Sequence, residues 1–140
     1  MTLEFTKMQG CGNDYIYVDC FSGMPENAPE LARKLSPRHF AVGADGLICI
    51  CKSEVADAQM RMFNADGSES KMCGNGIRCV AQWLYEHGRA GETMTVDTLA
   101  GRKTIRRVAE GQWQVDMGFA EFLPERVPVQ GLGAGPVVGA

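Results

Sequence analysis

The segment from Asn75 to His87 constrains this chain more than any other. Ile77, Cys79, Val80, Ala81, Trp83, Leu84 and Tyr85 are spread around most of the circumference of the helix that their spacing predicts. A helix apolar nearly all round belongs inside a fold rather than on its surface. Gly88 supplies the left-handed residue that ends many helices. The remainder of the chain must therefore wrap this helix. Leu3–Met8, Tyr15–Cys20, Leu47–Cys51, Gln59–Asn64, Thr93–Thr98, Arg102–Val108 and Gln112–Met117 read as strands by alternation or apolar content. The first two are joined by the glycine-rich turn Gly10–Asp14, as in a hairpin. One short helix opens at Pro29, runs to Leu35 and stops at Ser36-Pro37. The expected class is α+β, a mainly antiparallel sheet curled around one buried central helix, with nothing resembling the strand–helix alternation of a parallel sheet.

At 140 residues the chain holds one domain or little more. Residues 1–118 are expected to form it. Residues 119–140, with Pro124, Pro128, Pro136 and four glycines, read as a linker or as the start of a second domain. The balance of 14 Lys+Arg against 17 Asp+Glu argues against a nucleic-acid partner. No apolar run reaches the roughly 18 residues of a membrane span. The N-terminus lacks the apolar core of a signal peptide, so a cytoplasmic protein with reduced thiols is expected. The six cysteines, Cys11, Cys20, Cys49, Cys51, Cys73 and Cys79, include no C-x-x-C pair. A metal site at Cys49 and Cys51 would need two more ligands, for which only His39 and His87 are available, and a buried free cysteine more often acts as a small hydrophobe. No metal is expected.

The chemistry concentrates in Phe63–Cys79. Cys73 stands just before the buried helix, whose first N–H groups have no partner within it and carry the positive end of its dipole. Gly74 and Gly76 leave those amides open to close approach. Such a site stabilises a thiolate at Cys73 and can also hold a substrate carboxylate. A thiolate in that setting suits attack on an acyl carbon or removal of a proton beside a carboxylate. Acyl attack needs a histidine. His39 is far off in sequence, and His87 lies at the other end of the helix, roughly 20 Å away. Asn13, Asn64 and Asn75 are amides in or beside glycine-rich turns, suited to binding an amino acid's charged groups, although Asn also takes such turns for conformational reasons alone. A P-loop would need Gly-Lys-Ser/Thr, which is missing, and Lys71 alone is weak support for pyridoxal phosphate.

Three blocks, Lys7–Asp14, Gly43–Gly46 and Asn64–Cys79, followed by Met117-Gly118, closely resemble the diaminopimelate epimerase family. The resemblance implies a cofactor-independent isomerase, using neither metal nor pyridoxal phosphate. It would interconvert L,L- and meso-diaminopimelate in lysine and cell-wall synthesis. It makes Cys73 one of two catalytic thiols, places the substrate α-carboxylate at Gly74 and Asn75, and gives Asn13 and Asn64 to other polar groups of the substrate. The family pattern often has Gln where this chain has Gly46, and an apolar residue where it has Cys11.

The family also has two similar halves with the active site between them and the second thiol in the second half. Cys79 cannot replace that thiol, because six residues along a helix turn it roughly 240° from Cys73. The chain is thus expected to be an N-terminal part, inactive alone, whose partners are an amino-acid substrate, a C-terminal domain and, through exposed apolar surface, a second copy in a homodimer. Two alternatives stay open. One is a racemase of the same fold for another amino acid, with Gly46 and Cys11 reshaping the pocket. The other is a non-catalytic module that captures a carboxylate at the helix end.

Overall fold

Burial alternates along the strand Asn13–Cys20, and this sets the layers of the molecule. Tyr15 and Tyr17 face one hydrophobic cluster, while Ile16, Val18 and Cys20 face another. The computed structural model describes residues 2–116. The expectations for Met117-Gly118 and for residues 119–140 lie outside the described residues. In chain order the elements are β1 (Thr6–Gly10), β2 (Asn13–Cys20), α1 (Ala28–Leu35), β3 (Gly46–Cys51), β4 (Ala58–Asn64), β5 (Glu69–Ser70), α2 (Gly74–Glu86), β6 (Thr93–Thr98), β7 (Gly101–Ala109) and β8 (Gln112–Val115).

Among the described residues the strands form one eight-stranded sheet in the order β1-β2-β3-β4-β6-β7-β8, with β5 paired to β4. β1 and β2 make the expected hairpin. Its two turn residues, Cys11 at φ 51° and Gly12 at φ 89°, both take positive φ. A tight two-residue hairpin favours that geometry because it matches the strand twist. Cys11, whose place in the turn the sequence left open, occupies the left-handed position.

The sheet is mainly antiparallel, but two junctions correct the sequence reading. β2 pairs with β3 in parallel, and so does β4 with β6. Parallel neighbours cannot be joined by a tight turn and need a crossover. α1 lies in the first crossover and α2 in the second. Strand–helix alternation is therefore present at these two places. β5, two residues long, is the strand that pattern reading missed.

α2 is the buried centre. It packs against β1 and β8, the two ends of the strand order, and against β2. The sheet thus curls until both edges reach the helix. Ile77, Val80, Ala81, Trp83 and Leu84 on α2 meet Tyr15, Tyr17, Ile48, Ile50, Met60, Met62, Met94, Val96 and Ile105 from the strands. The indole N–H of Trp113 on β8 donates to Gln82 Oε1 at 2.7 Å. On the outer face α1 packs on β3 and β4, and Ala28 and Ala32 join Leu47, Cys49, Cys51 and Phe63 in the second cluster. Covered on both sides, β3 is buried at every residue, which explains why it reads as a continuous apolar run rather than an alternating one. At the far end Gly88, at φ 67°, follows α2 as expected.

Candidate active site

Strand register gathers the candidate residues at one end of the sheet. Asn13 begins β2, Gly46 begins β3 and Asn64 ends β4. Gly46 lies opposite Tyr15 on one side and Asn64 on the other. The β5 segment and the loop after it then deliver α2 to the same end.

Cys73 is the N-cap of α2, with extended backbone at φ −141° and ψ 116°. Its Sγ accepts the Gly76 N–H at 3.3 Å and faces the Tyr15 hydroxyl at 3.6 Å. The Cys73 carbonyl takes the Ile77 N–H at 2.9 Å. The N–H groups of Gly74 and Asn75 are left without a hydrogen-bond partner among the described residues, as the geometry of a helix start requires. Cys73 is half-buried. A partly accessible sulfur thus stands beside two free amides at the positive end of a helix. Glycine at position 76 lets Ile48 pack closely against the start of α2, since a Cβ there would lie 3.0 Å from Ile48 Cδ1. Gly10 plays a similar part below the helix, since a Cβ there would approach the Asn75 carbonyl to 3.1 Å.

The Asn75 side chain is occupied elsewhere. Its Nδ2 donates to Asn13 Oδ1 at 2.8 Å, and its Oδ1 accepts from the Arg78 guanidinium. Asn13 Nδ2 in turn donates to Asp45 Oδ2 at 3.3 Å, which also takes the Asp14 N–H at 3.1 Å. Arg38 bridges Asp14 and Asp45, and Lys7 reaches Asp14 Oδ2 at 2.9 Å and the Gly43 carbonyl. The Arg38 hydrogen bonds, and then Lys7, hold the Asp14 carboxyl well below the usual carboxylate range. This network braces the Asn13–Asn75 pair from both ends. Sequence reasoning assigned no role to Arg38, Asp45 or Arg78. The nearest signal was Arg78 three residues after Asn75, the spacing that puts side chains on one helix face.

Asn64 reaches the same end of the sheet, but its amide is turned into its own loop, donating to Ser68 Oγ at 3.0 Å. Neither histidine meets Cys73. His87 caps the far end of α2, where its ring stacks on Trp83 with centroids 4.0 Å apart. Cys79 is buried, and burial pushes its thiol up. It lines a cavity of about 330 Å³ with Met8, Gln82 and Trp113, on a helix face away from Cys73. Among the described residues no group of three or more His, Cys, Asp or Glu side chains is placed to hold a metal ion. No helix among them is long and apolar enough to cross a membrane.

At Gly46 the backbones of β3 and β4 approach closely. A Cβ there would sit inside contact distance of the Phe63 carbonyl oxygen and 3.2 Å from Asn64 Cα. The space a side chain would need is filled by the neighbouring strand.

Three solved structures share this fold. A Bacillus anthracis phenazine biosynthesis protein of the PhzF family matches with a TM-score of 0.59 and 26% identity, over 81% of this chain and 38% of that one. A PhzF-family protein of Enterococcus faecalis matches with a TM-score of 0.64 and 16% identity, over 79% and 42%. A hydroxyproline epimerase from Agrobacterium vitis matches with a TM-score of 0.55 and 17% identity, over 79% and 39%. At the sequence level the chain belongs to the diaminopimelate epimerase family, whose profile matches residues 5–123. It is 51% identical over 134 residues to the diaminopimelate epimerase of Desulfovibrio desulfuricans, covering 92% of this chain and 47% of that protein. To the enzyme of Desulfitobacterium hafniense it is 47% identical, covering 99% and 51%. The chain spans about half the length of the curated relatives it matches.

Proposed function

We propose that this chain is the Cys73-bearing half of a diaminopimelate epimerase that interconverts the L,L and meso isomers by acid–base catalysis with two thiols. The carrying observation is Cys73 Sγ at the start of α2, next to the unpartnered Gly74 and Asn75 amides. Cys73 removes the α-proton from one face of the substrate, or returns it in the reverse direction. The two amides hold the α-carboxylate and receive the negative charge that builds on it as the proton leaves. Asn13 and Asn64 lie at the same end of the sheet, and the second N–H of each amide, beyond the bonds to Asp45 and Ser68, is left for the rest of the substrate. The network from Arg38 to Arg78 keeps Asn13 and Asn75 in place. None of these steps uses a metal or a cofactor. Inversion needs a second group on the opposite face, and a second domain supplies it.

The chain's length relative to its relatives supports the two-part reading. Residues 1–118 are the proposed catalytic domain, and residues 119–140 lead to the partner domain. The test is Cys73→Ala in the full-length protein, incubated with L,L-diaminopimelate in D₂O. Deuterium uptake at Cα and formation of the meso isomer should both disappear, with the circular dichroism spectrum unchanged. Epimerisation at a rate near wild type removes Cys73 from the mechanism.

A further inference from the structure

We propose that Tyr15 is a positioning residue for Cys73, its phenolic O–H donating to the thiolate and fixing the direction from which the sulfur takes a proton. The inference rests on the acid–base reading of Cys73. Tyr15 lies in the third position from the start of β2, and its side chain points toward α2, where it is buried. Its hydroxyl oxygen is 3.6 Å from Cys73 Sγ. Sulfur hydrogen bonds are longer than those to oxygen, and this is the hydrogen bond that the Tyr15 side chain makes. The Tyr15 ring packs edge-on against Tyr17, with centroids 6.3 Å apart and planes at 77°. That packing holds the hydroxyl in place.

The sulfur therefore has two donors from the protein, the Gly76 N–H and the Tyr15 O–H. Both stabilise the anionic form, because hydrogen bonds to a charged acceptor are the stronger kind. Together they take up two of its lone-pair directions and leave the remainder for a substrate proton. Burial, and then the hydrogen bond to Cys73, push the Tyr15 phenol up. It stays protonated and does not compete with Cys73 as an acid. A buried phenol also adds no charge that would repel a substrate carboxylate.

Tyr17 provides an internal control. It lies two residues along on the same face of β2, buried in the same cluster, and its hydroxyl donates to the Gly76 carbonyl at 3.2 Å and meets the Cys79 thiol rather than Cys73. Tyr15→Phe and Tyr17→Phe each remove one buried hydroxyl from the same layer. Only the first removes a donor to Cys73.

The experiment measures the rate of Cys73 alkylation by iodoacetamide against pH, by mass-spectrometric mapping, in full-length wild type, Tyr15→Phe and Tyr17→Phe. In Tyr15→Phe the midpoint should move up by about one pH unit, a tenfold loss of reactivity on the acid side, as expected for one charge-assisted hydrogen bond. Tyr17→Phe should leave it in place. The acid limb of kcat/KM for epimerisation should move with the alkylation midpoint. An unmoved midpoint in Tyr15→Phe, or equal shifts in both variants, overturns the inference. A shifted midpoint in a protein that epimerises no diaminopimelate keeps the Tyr15 assignment and removes the proposed activity. Loss of stability common to both variants, read from their melts, would be separate from a midpoint shift in one of them.

Discussion

Replacing Gly46 with alanine tests the close approach of β3 and β4 most directly. The glycine does not hold a positive φ, so the added methyl meets no conformational penalty of its own. Where the backbone is compatible, such a change stabilises by about 0.4–1 kcal/mol through the unfolded chain. The space argument opposes this. The Cβ would lie inside contact distance of the Phe63 carbonyl oxygen and 3.2 Å from Asn64 Cα, both backbone atoms that no rotamer change can move. Carbon–oxygen contacts settle near 3.3–3.6 Å, so β4 has to retreat by roughly 1 Å. Overpacking of this kind costs about 1–3 kcal/mol. The net expectation is a loss of about 0.5–2.5 kcal/mol. At about 4 °C per kcal/mol for a chain of this length, the melting temperature should fall by roughly 2–10 °C. Because Asn64 is the direct partner of Gly46 in the ladder, the apparent affinity for substrate should weaken as well. Paired thermal melts by circular dichroism provide the assay. A Gly46→Ala protein that melts with the wild type, or above it, refutes the close-approach argument.

Three further outcomes are expected. Cys73 should be alkylated by iodoacetamide at neutral pH well before Cys20, Cys49 or Cys51, which are buried in the cluster on the α1 side of the sheet; the hydrogen bond with Cys49 helps push the Cys20 thiol up to about 12, and Cys51 lies higher still. Earlier labelling of the strand cysteines in peptide maps would count against this. Asp14→Asn should destabilise the protein at pH 6, and the gap to wild type should narrow as pH falls below about 4. The folded-state pKa of Asp14 is depressed, so its contribution is present above the unfolded value and lost as the carboxylate is protonated. Melts from pH 6 to pH 2.5 would expose a constant gap if the ion network were unimportant. Finally, the 1–140 chain alone should form no meso isomer from L,L-diaminopimelate, since one thiol can return a proton only to the face it came from. Meso product in proportion to added chain would show that the second acid–base group is already present.

The sequence showed the buried helix, because seven apolar residues at helical spacing leave no outer face. It showed Cys73 and the free amides after it, because helix starts have a local signature. The direction of strand pairing was not legible. β2 pairs with β3 rather than turning back as a hairpin because a crossover containing α1 separates them, and the short amphipathic stretch Ala28–Leu35 reads equally well as a helix placed anywhere. Tyr15 read only as an aromatic strand residue. Its contact with Cys73 spans 58 positions, and no local pattern reports a meeting at that distance. The same holds for Arg38 with Asp14 and for Asn13 with Asn75. Asn64 was named correctly as a polar residue at a strand end, but the turn it forms with Ser68 decides where its amide points.

The seating of α2 between both edges of the sheet has a dynamic consequence. β1 holds one side through the approach of Gly10 to Asn75, and β8 holds the other through Trp113 and Gln82. The helix cannot slide or tilt without opening a seam at one edge. The hydrogen-bonded amide protons in the body of α2 should therefore exchange with deuterated solvent only through opening of the whole unit, among the slowest in the molecule. Cys73, at the head of that helix, is anchored to an element held from both edges of the sheet. Whatever motion admits a substrate must come from what surrounds the thiol.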